Sequence, residues 1–204
     1  MSASRTIIAM AVAFGFSTAL TAQQQQPPPQ TPRPPAQHPA PATHEAAESA
    51  SGDRAFVLKM ANGGMAEVEL GKLAVKNGGS QDVKSFGQRM VDDHSKAGDE
   101  LKSIADKKNI PWPTKLDAKD QALHDKLAAL NGQAFDRAYL GAMIPGHKKV
   151  ASALRTESKS GKDPDVKQWA AKTLPTVEEH LKLAEDANHM KSTAESRGSA
   201  KARR

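Results

Sequence analysis

One internal repeat constrains this 204-residue chain more than any other feature. Asp53-Arg54-Ala55-Phe56, followed by Met60 and Gly63, returns as Asp136-Arg137-Ala138-Tyr139, followed by Met143 and Gly146, always 83 residues later. The same step carries Asp82-Val83-Lys84-Ser85-Phe86 onto Asp165-Val166-Lys167-Gln168-Trp169 without a gap. A fold that accepts this chain must accept one supersecondary unit written twice.

The unit reads as a helical hairpin. Phe56, Met60, Gly63, Glu67, Leu70 and Ala74 recur at three-four spacing over a helix expected at 53–77, with Asp53 as its N-cap and Asn77-Gly78-Gly79-Ser80 as its stop. A second helix is expected at 81–108 through Val83, Phe86, Met90, His94, Ala97, Leu101 and Ile104. The second copy gives helices at 133–159, through Leu140, Met143, His147, Val150 and Leu154, and at 163–189, through Val166, Trp169, Thr173, Val177, His180 and Ala184. Asp163 and Pro164 form a capped helix start. Pro145 and Pro175 lie inside helices and are expected to bend them. Gly63-Gly64, mid-helix, suggests close helix–helix approach or a local irregularity.

Between the copies lies a connection of about twenty residues with a short amphipathic helix through Leu116, Leu123, Leu127 and Leu130. At 1.5 Å per helical residue plus extended flanks, it can cross the ~40 Å length of the bundle. The expected fold is therefore all-α, a ferritin-like four-helix bundle of two repeated hairpins joined by a long crossover containing a short helix.

Outside the bundle the chain changes character. Arg5 and the apolar run Ile7 to Leu20, followed by small residues, suit a signal peptide over 1–22, cleaved near Ala19 or Ala22. Residues 23–52 are rich in Pro and Gln and read as a disordered linker, in which His38 and His44 are incidental. The bundle domain is expected over 53–190 and a basic disordered tail over 191–204. The formal net charge of +6 sits largely in that tail, which carries +4, while 53–190 carries +2. The tail could meet the envelope or another anionic surface. The bundle itself has neither a basic face nor stacking aromatics, so no nucleic-acid partner is expected. No run in the mature chain is long enough to span a bilayer, and oligomeric state is not legible. The absence of cysteine excludes disulfides, thiolate chemistry and a lipoprotein anchor. The N-terminus points to an exported protein, periplasmic or outer-membrane-associated.

Each bundle helix carries one ligand-capable residue on its apolar stripe: Glu67, His94, His147 and His180. Glu67 lies ten residues before Asn77, His94 fourteen after Ser80, His147 fourteen before Gly161, and His180 seventeen after Asp163. Within each hairpin these levels differ by about 5–6 Å. Three imidazoles and a carboxylate suit one transition-metal ion: zinc, copper, iron or manganese. Asp92, Asp93, Glu178 and Glu179 are candidate acceptors for the outer imidazole nitrogens. Met90 and Met143 each precede a histidine by four, and as softer ligands would favour copper(I). A di-iron centre is not expected, because valine (Val91, Val177) stands where Glu-x-x-His needs glutamate. No serine elbow or phosphate loop is present, and no reaction is legible. The candidate ligands also break the repeat: Glu67 falls on Val150, His94 on Val177, Gly64 on His147 and Ala97 on His180. That asymmetry suits a single site. Two other classes stay open: a structural or interaction module of the envelope, with satisfied core histidines, and a redox protein with a mononuclear metal.

Four stretches carry a family resemblance: Gly64-Met65-Ala66-Glu67-Val68-Glu69-Leu70-Gly71-Lys72-Leu73-Ala74, Phe86-Gly87-Gln88-Arg89-Met90-Val91-Asp92-Asp93-His94, Phe135 to Tyr139, and Leu174 to Leu181. Over about residues 53–189 the chain resembles the bacterial domain of unknown function 4142 family, which carries an outer-membrane-protein label. The resemblance implies an exported, ferritin-like bundle of unsettled role. It places the family's histidine positions on His94, His147 and His180 and its first-helix glutamate on Glu67. The chain departs from the family at Pro145-Gly146, where an acidic residue commonly precedes the third-helix histidine.

Overall fold

The computed structural model describes the backbone over residues 42–202 and the side chains over 51–190. The signal peptide expected over 1–22, the linker up to residue 41 and the side chains of the tail lie outside the described residues. Among the described residues the chain is all-helical: α1 (Ala42–Asn77), α2 (Gln81–Lys107), α3 (Ala118–Ala128), α4 (Gly132–Ser160) and α5 (Pro164–Ala202). α1 starts before Asp53, because Ala42 to Gly52 holds alanine and glutamate but no proline to break the helix. α5 likewise continues past residue 189, and both α4 and α5 run through their internal prolines unbroken.

Helix ends follow local chemistry. The Ser80 hydroxyl accepts from the Val83 amide at 3.3 Å, Asp117 from Asp120 at 2.8 Å, and Asp163 from Asp165 and Val166 at 3.0 and 3.1 Å. Gly132 opens α4 at φ +58, in the left-handed region that favours glycine.

α1 packs on α2 and α4 on α5, while α2 also contacts α5 and α1 contacts α4. α3 lies along α1, where the Asn77 amide donates to the Leu130 carbonyl at 3.1 Å. The repeat becomes visible as reciprocal contacts. Asp53 does not cap α1, as its sequence position suggested. Its carboxylate instead accepts from the Lys162 and Asp163 amides at 3.2 and 2.6 Å, in the α4–α5 turn. Asp136, 83 residues on, accepts from the Gly79 and Ser80 amides at 2.8 and 3.1 Å, in the α1–α2 turn. Those amides are themselves 83 residues before the first pair. Aromatic contacts obey the same exchange: Phe56 meets Trp169 with ring centroids 6.2 Å apart, and Tyr139 meets Phe86 at 5.9 Å. Each half of the repeat thus ties down the other half's turn.

Close backbone approach occurs at glycines other than those expected. A Cβ on Gly87 would lie 2.6 Å from the Ala74 Cβ and 2.8 Å from the Gly71 carbonyl oxygen, whereas Gly63 and Gly64 have nothing within 4 Å. The α1–α2 seam is tight at Gly71 and Gly87 and open at Gly63-Gly64.

Two apolar clusters fill the interior. One gathers Phe56, Val57, Met60, Leu101, Leu154, Trp169 and Val177. The other gathers Leu70, Phe86, Met90, Phe135, Tyr139 and Met143. The histidines lie between these clusters, at the middle of the bundle.

Candidate metal centre

His94 projects from α2, His147 from α4 and His180 from α5. One nitrogen from each ring lies within 4.8 Å of the other two. The ring centroids are 5.2 to 5.9 Å apart. His147 and His180 are 1% and 0% exposed, so water does not solvate them; His94 is half-buried.

Hydrogen bonds fix which nitrogen of each buried ring is bare. His147 sits one turn after Met143 and donates Nδ1–H to that residue's carbonyl at 2.9 Å, leaving Nε2 unprotonated. The outer nitrogen of His147 is thus held by backbone. His180 donates Nε2–H to the Asp93 carboxylate at 2.8 Å, leaving Nδ1 bare. His94 Nε2, His147 Nε2 and His180 Nδ1 are all buried and have no hydrogen-bond partner. Each unpartnered buried polar atom costs about 1–3 kcal/mol, so three converging ones need a common explanation.

The electrostatics keep the lone pairs free. Burial, helped by the neighbouring His180 and His147 rings, pushes His94 down to about 3. Burial also lowers His147 to about 4, against its hydrogen bond to Met143. Burial lowers His180 as well, with Asp93 working the other way. The three rings are neutral at pH 7, the form that binds metal. Partial burial would raise Asp93, but hydrogen bonds from His180 and Arg89 hold it below its ordinary value. Arg89 reaches Asp93 at 3.3 Å and Glu179 at 2.9 Å, so Asp93 is anchored on both sides. Of the four acidic residues offered by the sequence as outer acceptors, Asp93 is the one that holds a triad histidine; Glu178 instead pairs with Arg155.

Glu67 does not join the three rings. Its Oε2 is buried without a partner. Burial, with the Asp120 charge, raises its carboxyl to about 8, so it is protonated at neutral pH. Its electrostatic neighbours are Asp120 and Tyr139, whose buried hydroxyl also lacks a partner. Met90 and Met143 are 0% and 2% exposed within the cluster that holds Phe86, whose ring meets His180 edge-on at 6.3 Å.

Comparison with known proteins adds a family and a fold. The profile of the Domain of unknown function (DUF4142) matches residues 38–187, most of the chain, and the protein belongs to that family. Among solved structures, CopM in the Cu(I)-bound form aligns with a TM-score of 0.55 at 15% identity, over 66% of this chain and 93% of that one. At this identity the likeness shows a shared helical fold. No curated protein sequence matches the chain.

Proposed function

We propose that this member of the DUF4142 family is an exported envelope protein that binds one transition-metal ion inside a ferritin-like bundle, through His94 Nε2, His147 Nε2 and His180 Nδ1. The observation that carries this reading is a group of three histidines with one nitrogen of each within 4.8 Å of the other two, each ring also holding a buried nitrogen without a hydrogen-bond partner. Metal–nitrogen bonds near 2.0–2.1 Å place ligands of a trigonal ion about 3.5 Å apart. From 4.8 Å the rings need to close by up to about 1.3 Å to reach that geometry. Export rests on the signal-like N-terminus. No helix among the described residues is long and apolar enough to cross a membrane. The ferritin-like reading rests on the pairings of α1 with α2 and α4 with α5, with α3 in the connection between them.

Copper(I) suits the site best. The donor set is three neutral nitrogens, with no carboxylate within the group. A buried dication would keep its full charge among neutral ligands, and uncompensated buried charge is costly. A monovalent ion leaves a single charge, which the anchored Asp93 carboxylate balances from behind His180. Met90 and Met143 stand one turn before His94 and His147 and are the softer ligands at hand. The Cu(I) carried by the structurally similar CopM is consistent with this choice.

The test is metal analysis of protein purified without a histidine tag, followed by anaerobic Cu(I) titration against a chromogenic chelator. One equivalent is expected to bind, and His147→Ala with His180→Ala together should abolish it. Protein that takes up no metal, with a melting temperature unmoved by Cu(I) or Zn(II), would overturn the reading in favour of an interaction module.

A further inference from the structure

The three imidazoles come from α2, α4 and α5, so the fourth wall of the bundle, α1, faces them without giving a ligand. Register decides what α1 presents there. Gly71 and Gly87 mark the point where α1 touches α2, each added Cβ lying 2.8 Å from the other residue's carbonyl oxygen. Two turns back along α1 from Gly71 is Gly64, and two turns on along the antiparallel α2 from Gly87 is His94. Seven residues return each helix to nearly the same azimuth. Gly64 therefore stands across the seam from His94, with Gly63 beside it.

At both glycines an added Cβ would meet nothing within 4 Å, and the same holds for Gly146, the residue before His147. Neither Gly63 nor Gly64 has left-handed backbone, and each costs helix stability relative to alanine. Neither packing nor backbone conformation accounts for them. His147 Nε2 and His180 Nδ1, in the same three-histidine group as His94, are unpartnered in residues that are 1% and 0% exposed. His94, the half-buried member of the triad, is the one opposite the glycines. On the α2–α5 side, the groove lined by Lys96, Glu100, Lys172, Thr173 and Thr176 is also lined by Asp93, whose carboxylate accepts from His180 Nε2.

We propose that the gap left by Gly63 and Gly64 in α1 is the port through which a metal ion enters and leaves the three-histidine site. The proposal rests on the metal-binding reading of the triad. A port residue is not a ligand, so blocking it slows entry and exit by the same factor and leaves the equilibrium affinity unchanged.

The test is anaerobic Cu(I) uptake from a chromogenic chelator by stopped flow, with release followed separately and Kd measured by competition. Gly64→Leu is expected to lower both rate constants by roughly tenfold or more while Kd stays within about threefold. Gly63→Leu provides the same reading should Gly64→Leu fail to fold by circular dichroism. Gly141→Leu, at an exposed and uncrowded position on α4, and Thr173→Leu in the α2–α5 groove are expected to leave both rates unchanged. Wild-type kinetics in folded Gly64→Leu and Gly63→Leu, or slowing by Thr173→Leu instead, would overturn the port alone. Wild-type protein that binds no copper would overturn the triad reading and the port with it.

Discussion

His180 shows how one hydrogen bond decides the chemistry of a neighbouring atom. Its ring has two nitrogens of similar basicity, and Asp93 takes the proton of one at 2.8 Å, which bares the other toward His94 and His147. Replacing Asp93 with alanine frees the tautomer and should weaken Cu(I) binding by about 10–100-fold in chelator competition. Asp93→Asn still offers an oxygen acceptor and should recover most of that loss. Proton linkage gives a second prediction, for the metal-free protein. His94 and His147 are lowered from 6.5 to about 3 and about 4. Between those values the unfolded chain binds protons that the folded chain does not, so stability falls as pH drops from about 6.5 toward 4. Glu67 acts with the opposite sign. Its carboxyl rises from 4.5 to about 8, so the stability that goes with its bound proton is full below 4.5 and is lost as pH rises through 8. Thermal melts from pH 4 to 9 should show a maximum between these limbs, and Glu67→Gln should flatten the alkaline limb and steepen the acid limb above about 4.5. Wild-type melts that rise steadily to pH 9 would contradict this account of Glu67.

Elements are held in register by carboxylates and glycines. Asp136 is 0% exposed and receives the Gly79 and Ser80 amides. Asp136→Ala strands both donors and should cost about 2–4 kcal/mol in urea unfolding. Asp53→Ala, at the equivalent position, should cost a comparable amount, and Asn at either site less. The glycines divide into two kinds by the same measurement. Gly87→Ala forces its Cβ against Ala74 and the Gly71 backbone and should destabilise by about 1–3 kcal/mol. Gly63→Ala meets open space and should stabilise by up to about 1 kcal/mol. Equal effects of the two changes would mean that the α1–α2 seam is not tightest at Gly71 and Gly87.

At the scale of the whole molecule, a scaffold with reciprocal contacts carries one asymmetric centre. Each half's aspartate and aromatic serve the other half, yet the three histidines have no histidine at their repeat-equivalent positions. An ion bound to the folded state alone stabilises it by mass action, about 2.7 kcal/mol at a free concentration one hundred times Kd. For a domain of this size the melting temperature should rise by roughly 5–10 °C, and a chelator should reverse it. The His147→Ala, His180→Ala double variant should show no such shift.

The sequence by itself determined the helices within the bundle, their order and the equivalence of the two halves. Apolar spacing, caps and rise per residue are local quantities, and a repeat at a fixed step can be read without coordinates. It could not determine azimuth, because height along a helix does not say which way a side chain turns once neighbours pack. Glu67, on the apolar stripe of α1, stays outside the histidine group beside Tyr139 and Asp120, while Asp53, placed like an N-cap, reaches across to the α4–α5 turn. Which glycines touch is equally a property of the pair: Gly71 with Gly87 is close and Gly63-Gly64 is open because of the α1–α2 register, which neither helix encodes alone. Only the tertiary structure decided that three bare nitrogens meet in a dry interior, since that depends on Asp93 and the Met143 carbonyl reaching two rings from behind.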